Sequence, residues 1–158
     1  MTNNRRIILA AAVIAAFGLA GCETMKSWTS GGGSASSGGG AGGYTQSVML
    51  RGDNEVPPVS TSATGMGNVT VGSDGSVTAS ITVKGMTGTA AHIHEAAAGA
   101  NGPVIVPFVK QGDDTFVAPP GAKMTVEQLE AFKAGRTYVN VHSANHASGE
   151  IRAQLKGK

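Results

Sequence analysis

Ser73-Asp74-Gly75-Ser76-Val77-Thr78-Ala79-Ser80-Ile81-Thr82-Val83, followed by Gly85-Met86-Thr87-Gly88, is the stretch that decides the fold class. Apolar and hydroxylic residues alternate through Ser76–Val83, so an extended chain there has one apolar side and one polar side. That period of two belongs to a half-buried β-strand. Ser73-Asp74-Gly75 reads as a hairpin turn and Gly85-Met86-Thr87-Gly88 as a second reversal. Outwards from this unit, similar runs between turn signals predict strands at Thr45–Leu50, Gly67–Val71, Ala90–Glu95, Val104–Val109, Thr137–Ser143 and Glu150–Leu155. Pro57-Pro58 stops any strand at that point.

One segment departs from the rhythm. Met124 to Gly135 carries apolar residues at Val126, Leu129 and Phe132, a Thr at the N-cap position and a Gly as stop, which predicts a short helix. It is expected to cross a sheet edge or open end. No repeat of 20 to 50 residues is visible. Residues 44–158 therefore form one domain, large enough for a single sandwich-sized core.

The remainder of the 158-residue chain reads differently. Residues 1–21 have the pattern of a secretory signal, with Arg5 and Arg6 ahead of an apolar run from Ile7 to Leu19. That run is short for a bilayer span. Arg5-Arg6 begins like a twin-arginine signal, but Ile7-Ile8-Leu9 extends it weakly, and general secretion is the expected route. Leu19-Ala20-Gly21-Cys22 resembles a bacterial lipobox. This implies cleavage before Cys22, a diacylglycerol on its thiol and an acyl chain such as palmitate on its new amino group. Two or more acyl chains anchor a protein to a membrane. Glu23, standing where an Asp tends to retain lipoproteins in the inner membrane, leans the expectation towards the periplasmic face of the outer membrane of a bacterial envelope. Residues 22–43 are then the lipidated Cys and a tether. Its Ser30–Gly43 part, almost wholly Gly, Ser and Ala, cannot bury enough apolar area to order itself, and holds the domain about 25 Å from the bilayer.

Loss of the signal removes Arg5 and Arg6 from twelve Lys and Arg, leaving ten against ten Asp and Glu, a balanced mature charge. No basic patch interleaved with aromatics appears, so nucleic acid is not an expected partner. Cys22 is the single cysteine, which excludes an intrachain disulfide.

All four histidines lie in two short segments, Ala91-His92-Ile93-His94 and Val141-His142-Ser143-Ala144-Asn145-His146. Strand alternation puts His92 and His94 on one face about 6 to 7 Å apart, where two imidazoles can grip one metal ion. Imidazole suits copper and zinc, and copper stands ahead because it dominates divalent affinity at nitrogen sites. The bland alternative is that the imidazoles hydrogen-bond loop backbone and hold one end of the domain together. His146, in the Asn145–Gly149 hairpin, either caps the site or faces water. Glu95 and Glu150 are candidate acceptors for imidazole N–H groups, although Glu95 alternates away from His94. Met66 and Met86 are soft enough for Cu(I), but Met is commonly core filler. No Ser or Cys nucleophile sits in a recognisable hydrolase motif. Arg51-Gly52-Asp53 and the Asn68-Val69-Thr70 sequon carry no argument in this context.

Larger patterns bring a resemblance into view. Leu50-Arg51-Gly52-Asp53-Asn54-Glu55-Val56-Pro57-Pro58-Val59 is followed by Ala91-His92-Ile93-His94 and Asn101-Gly102-Pro103-Val104. Then come Tyr138-Val139-Asn140-Val141-His142-Ser143 and Gly149-Glu150-Ile151-Arg152-Ala153-Gln154-Leu155. Together they resemble the CHRD (chordin-type) domain of bacterial secreted proteins across nearly all of the folded part. The family usually has Gly where Ala96 stands and commonly Pro where His146 stands. The first departure bears on the turn after His94; the second adds a ligand that the family pattern does not supply.

A fainter likeness is to copper/zinc superoxide dismutase. Gly85-Met86-Thr87-Gly88 leading into His92-Ile93-His94-Glu95, and Gly135-Arg136-Thr137-Tyr138-Val139-Asn140-Val141-His142, are similar in order and spacing to the strands that carry three of that enzyme's copper histidines. The likeness implies an all-β fold, a Greek-key sandwich like those of immunoglobulins and superoxide dismutase with one short crossover helix. It also implies convergence of His92, His94 and His142 on a copper ion, with His146 as a further candidate and zinc as the alternative metal. Zinc-site residues, an intrachain disulfide and an arginine-bearing loop find no counterpart, so dismutase activity is a third and poorly supported reading, which a direct turnover assay decides. The expected function is copper handling or a modest redox role in a membrane-anchored lipoprotein. The reading from another class is a metal-free envelope interaction or structural module, its protein partner unidentified.

Overall fold

The computed structural model describes residues 42–157. The signal, Cys22 and nearly all of the tether lie outside the described residues. In chain order the strands are β1 (Tyr44–Arg51), β2 (Thr64–Val71), β3 (Val77–Lys84), β4 (Gly88–His94), β5 (Val104–Pro107), β6 (Val109–Gln111), β7 (Thr115–Val117), β8 (Thr137–Ser143) and β9 (Ile151–Leu155). A 3-10 turn at Gly52–Asn54 follows β1, and helix α1 (Val126–Lys133) lies between β7 and β8.

The alternation in the opening stretch acts as expected. Val77, Ala79, Ile81 and Val83 of β3 are buried, while Thr78, Ser80, Thr82 and Lys84 face solvent. Removing such side chains from water, at about 25 cal/mol per Å², is the term that favours this strand over coil. β3 pairs with β2 from Thr64↔Lys84 to Val71↔Val77, and β2 pairs along all of β1.

All nine strands join one antiparallel sheet in the order β5-β4-β8-β9-β1-β2-β3-β7-β6. The fold is all-β with one short helix. Its order is not a meander, because β9, last in the chain, lies beside β1, and β8 lies beside β4. The sheet bends back on itself at two places. At β1/β9 the ladder has one pair, Arg51↔Arg152. The Gln46 side chain bridges the parted edges there, accepting from Lys156 N–H at 2.8 Å and donating to the Gln154 carbonyl at 3.5 Å. At the other place β5 runs through Phe108 into β6, and Phe108 N–H donates to the Ala91 carbonyl at 3.0 Å. The nearly closed sheet encloses Leu50, Ile81, Ile93, Phe116, Val139, Val141, Ile151 and Leu155.

Differences from the expected elements have local causes. The predicted Val104–Val109 strand is two strands, because the chain leaves β4 after Phe108 and Val109 pairs with Val117 of β7 instead. β7, three residues long and following Gly112-Asp113-Asp114, is too short to show a period of two in the sequence. β2 starts at Thr64, three residues early, through Gly65 and Gly67. At Gly67 a Cβ would collide with the Ser80 carbonyl, so glycine there permits close strand approach rather than a turn. Glu150 precedes β9.

The helix forms where its signals lie. Thr125 and Gln128 make a reciprocal capping box, with Gln128 N–H to Thr125 Oγ1 at 3.3 Å and Thr125 N–H to Gln128 Oε1 at 2.9 Å. Gly135, at φ +70°, ends it. Leu129, Ala131 and Phe132 are buried, whereas Val126, expected on the apolar face, is 74% exposed in the first turn. The helix links β7 to β8, strands that lie in different arms of the folded-over sheet, so it is a crossover as expected.

Candidate metal centre

β4 and β8 are adjacent, with Ala90↔His142, His92↔Asn140 and His94↔Tyr138 as partners. Ala91 and Ile93 of β4, like Val139 and Val141 of β8, point into the core. Alternation then sets His92, His94, Tyr138, Asn140 and His142 on the opposite face. A register shift between Ile93 and His94, on the side where β4 meets β5, marks a bulge next to the site.

On that face the imidazoles of His92, His94 and His142 converge. Their ring centroids are 4.9 to 6.1 Å apart. One ring nitrogen of each lies within 4.8 Å of the others, and this is the one such group among the described residues. His146 stands outside it: its backbone pairs with Ser143 across the β8–β9 turn, and its side chain is half-buried.

Hydrogen bonds assign the free nitrogens. His94 Nδ1 is 2.9 Å from the Gly102 carbonyl and His142 Nδ1 is 3.0 Å from the Ala147 carbonyl. A carbonyl only accepts, so both Nδ1 atoms carry the proton and both Nε2 atoms keep a lone pair. His142 Nε2 accepts from His92 Nδ1 at 3.0 Å, so in this state the His92 proton is on Nδ1 and its Nε2 keeps the lone pair. His94 Nε2 is buried and makes no hydrogen bond of good geometry; Asn140, whose Oδ1 is likewise buried and without such a bond, is the side chain that acts on this imidazole. An orphan acceptor of this kind costs on the order of 1–3 kcal/mol unless a ligand takes its lone pair.

The rings are held neutral, the form that binds metal. Burial pushes His92 down to about 4, with His142 and His94 adding repulsion. Burial also lowers His94, against the Gly102 carbonyl, which favours the protonated form. Metal–nitrogen bonds of about 2.05 Å span about 3.3 Å at a tetrahedral angle and about 4.1 Å when collinear. The 3.0 Å between His92 Nδ1 and His142 Nε2, a hydrogen bond here, lies just under the tetrahedral span and would open by a few tenths of an ångström at a tetrahedral ion. A separation near the 4.8 Å limit exceeds both spans, and would close by about 1 Å on binding.

Around this triad stands a support that residue types alone did not reveal. Neither Glu95 nor Glu150 hydrogen-bonds an imidazole; Glu150 Oε1 instead accepts from Thr61 Oγ1 at 2.8 Å. The acceptors are the backbone carbonyls of Gly102 and Ala147, and the available signal for the first was the Asn101-Gly102-Pro103 run. The loop carrying Gly102 is pinned by β9. Arg152 donates to Ala100 O at 2.9 Å and Asn101 Oδ1 at 3.1 Å, and Gln154 Nε2 donates to Ala96 O at 3.0 Å. The turn after His94 thus forms with Ala96 in place of glycine. Tyr138 stacks on His94, centroids 4.8 Å apart and planes within 4°. The Arg152 guanidinium lies 3.4 Å over the Tyr138 ring. Nearby, Glu55 is buried, which raises its pKa despite Arg152 and Asn140.

A family model described as the CHRD domain matches residues 46–155, a span that includes all three converging histidines. No curated protein and no solved structure matches the chain.

Proposed function

The chain belongs to the CHRD-domain family, and on that premise we propose that it is a copper-binding lipoprotein of a bacterial envelope. One ion would be held by His94 Nε2, His142 Nε2 and His92 Nδ1, the His92 proton shifting from Nδ1 to Nε2 as the ion replaces its hydrogen bond to His142. The observation that carries this reading is the buried lone pair of His94, without a hydrogen bond of good geometry, beside two further imidazole nitrogens. Three neutral nitrogens match copper or zinc, and copper leads on intrinsic affinity. Bound copper supplies a one-electron couple; the chain supplies its grip, its tautomers and partial exclusion of water. The role that follows is copper handling or modest redox chemistry, with Cys22 as the lipid anchor that keeps the domain at the periplasmic face of the outer membrane.

Calorimetric titration of the full chain with Cu(II) in air, and with Cu(I) under anaerobic reducing conditions, should give about one tight site per chain. No heat with either ion refutes the reading. For the anchor, Cys22→Ser should move the protein from the membrane to the soluble fraction, and unchanged membrane retention refutes that part.

The metal-free module is favoured by the same two carbonyl bonds, since His94 and His142 tie flanking loops to their strands. It predicts protein isolated without metal and a melting temperature unmoved by copper or zinc.

A further inference from the structure

We infer that this site prefers a singly charged soft ion, Cu(I), over Cu(II) and Zn(II), and that Arg152, acting through Tyr138, sets the preference. The inference rests on the metal-binding reading above and adds valence to it. The first support is the ligand set: three uncharged imidazoles, with no carboxylate in the group among the described residues. A divalent ion there has no anionic ligand against either of its charges.

The second support is a buried cation whose hydrogen bonds all go to neutral groups; the carboxyl that acts on it, Glu55, is itself buried and has its pKa raised towards the neutral form. Arg152 is 1% exposed, and neither ion pair among the described residues involves it. Its guanidinium donates to neutral oxygens only: Ala100 O, Asn101 Oδ1 and Gln154 Oε1. Strand order β4-β8-β9 places Tyr138 between His94 and Arg152. The two contact distances, 3.4 Å and 4.8 Å, keep the guanidinium carbon within about 8 Å of the His94 ring centre. An ion on His94 Nε2 would then lie about 10 Å from a full positive charge. At an effective dielectric near 20, each added ionic charge is penalised about tenfold in affinity at that distance. Arg152 is a positioning and electrostatic residue here: it touches Tyr138 and the 96–103 loop, not the ion.

The test uses the full chain in competition titrations against chromophoric chelators, with Cu(I) and Cu(II) measured separately. The readout is the ratio of the two affinities, which a purely structural role for Arg152 would leave unchanged. Arg152→Gln should lower the Cu(I):Cu(II) ratio about tenfold, while Lys84→Gln, which removes an exposed cation from β3, should leave it unaltered. A folded Arg152→Gln protein with the wild-type ratio overturns the inference. If that variant does not fold, the wild-type ratio is set against that of a free tripodal tris-imidazole chelator. A higher ratio in the protein supports the inference, and an equal or lower one overturns it. Absence of binding by either valence defeats this inference together with the copper-binding reading; binding of both with no preference defeats this inference alone.

Discussion

Gly102→Ala should disable the metal centre without touching a histidine. A Cβ at Gly102 would fall against the Glu95 carbonyl and 3.1 Å from Ala96 Cβ. The obstructing carbonyl is backbone, so the loop must open. That movement strains the Glu95 N–H to Pro103 carbonyl bond, now 3.0 Å, and withdraws the Gly102 carbonyl from His94 Nδ1. Losing the hydrogen bond and relieving the clash should cost on the order of 1–3 kcal/mol of stability, or about 4–12 °C in Tm for a domain of this size. The effect on the ion is larger in kind. Without its acceptor, the His94 imidazole is free to adopt the tautomer that puts a proton on Nε2, and loss of such an orienting partner typically weakens metal binding about 10–100-fold. The assay is chelator competition for affinity, with circular dichroism melting to establish folding. Gly99→Ala is the control: φ is +80° and nothing lies within 4 Å of its Cβ position, so it should cost about 1 kcal/mol and leave affinity unchanged. A folded Gly102→Ala protein with wild-type affinity, or equal weakening by Gly99→Ala, would refute the reasoning.

Three further outcomes are expected. His92→Ala should abolish tight copper binding, because two imidazoles remain as a poor chelate; calorimetry showing an unchanged site would count against the triad. In the metal-free protein, His92 has its pKa lowered from 6.5 to about 4 by burial first and then by His142 and His94. The unfolded chain therefore binds the proton more readily, so the stability associated with His92 is present above pH 6.5 and is lost as pH falls towards 4. The loss is capped at about 3.4 kcal/mol and falls to about half of that once solvent screening of the partly exposed ring is allowed for. Denaturant titrations of wild type and His92→Gln across that range should converge at low pH, and parallel curves would exclude the linkage. Thr125→Ala should lose the capping box at the start of α1 and about 1 kcal/mol, read as a fall in denaturation midpoint with the copper affinity unmoved.

Much of the local architecture was legible in the chain. Alternation in Ser76–Val83 marked β3, Thr125 and Gly135 bounded the helix, and the two-residue spacing of His92 and His94 set them on one face. These signals are short-range, because a strand's period and a helix's cap are decided within a few residues. Where propensity and packing disagreed, packing prevailed, as at Gly65–Gly67, which belong to β2 because the sheet is crowded there.

Residue order by itself determined that the domain is all-β, that four histidines fall into two segments, and which of them share a strand. Only the tertiary structure decided that β4 lies beside β8 and β9 beside β1, and so which imidazoles meet. It also brought the carbonyls of Gly102 and Ala147 to the rings and put Arg152 behind Tyr138. The physical reason is that pairing between segments some fifty residues apart follows from closing one sheet around one core. No local pattern encodes that closure, and a backbone carbonyl has the same chemistry at every position until the fold aims it.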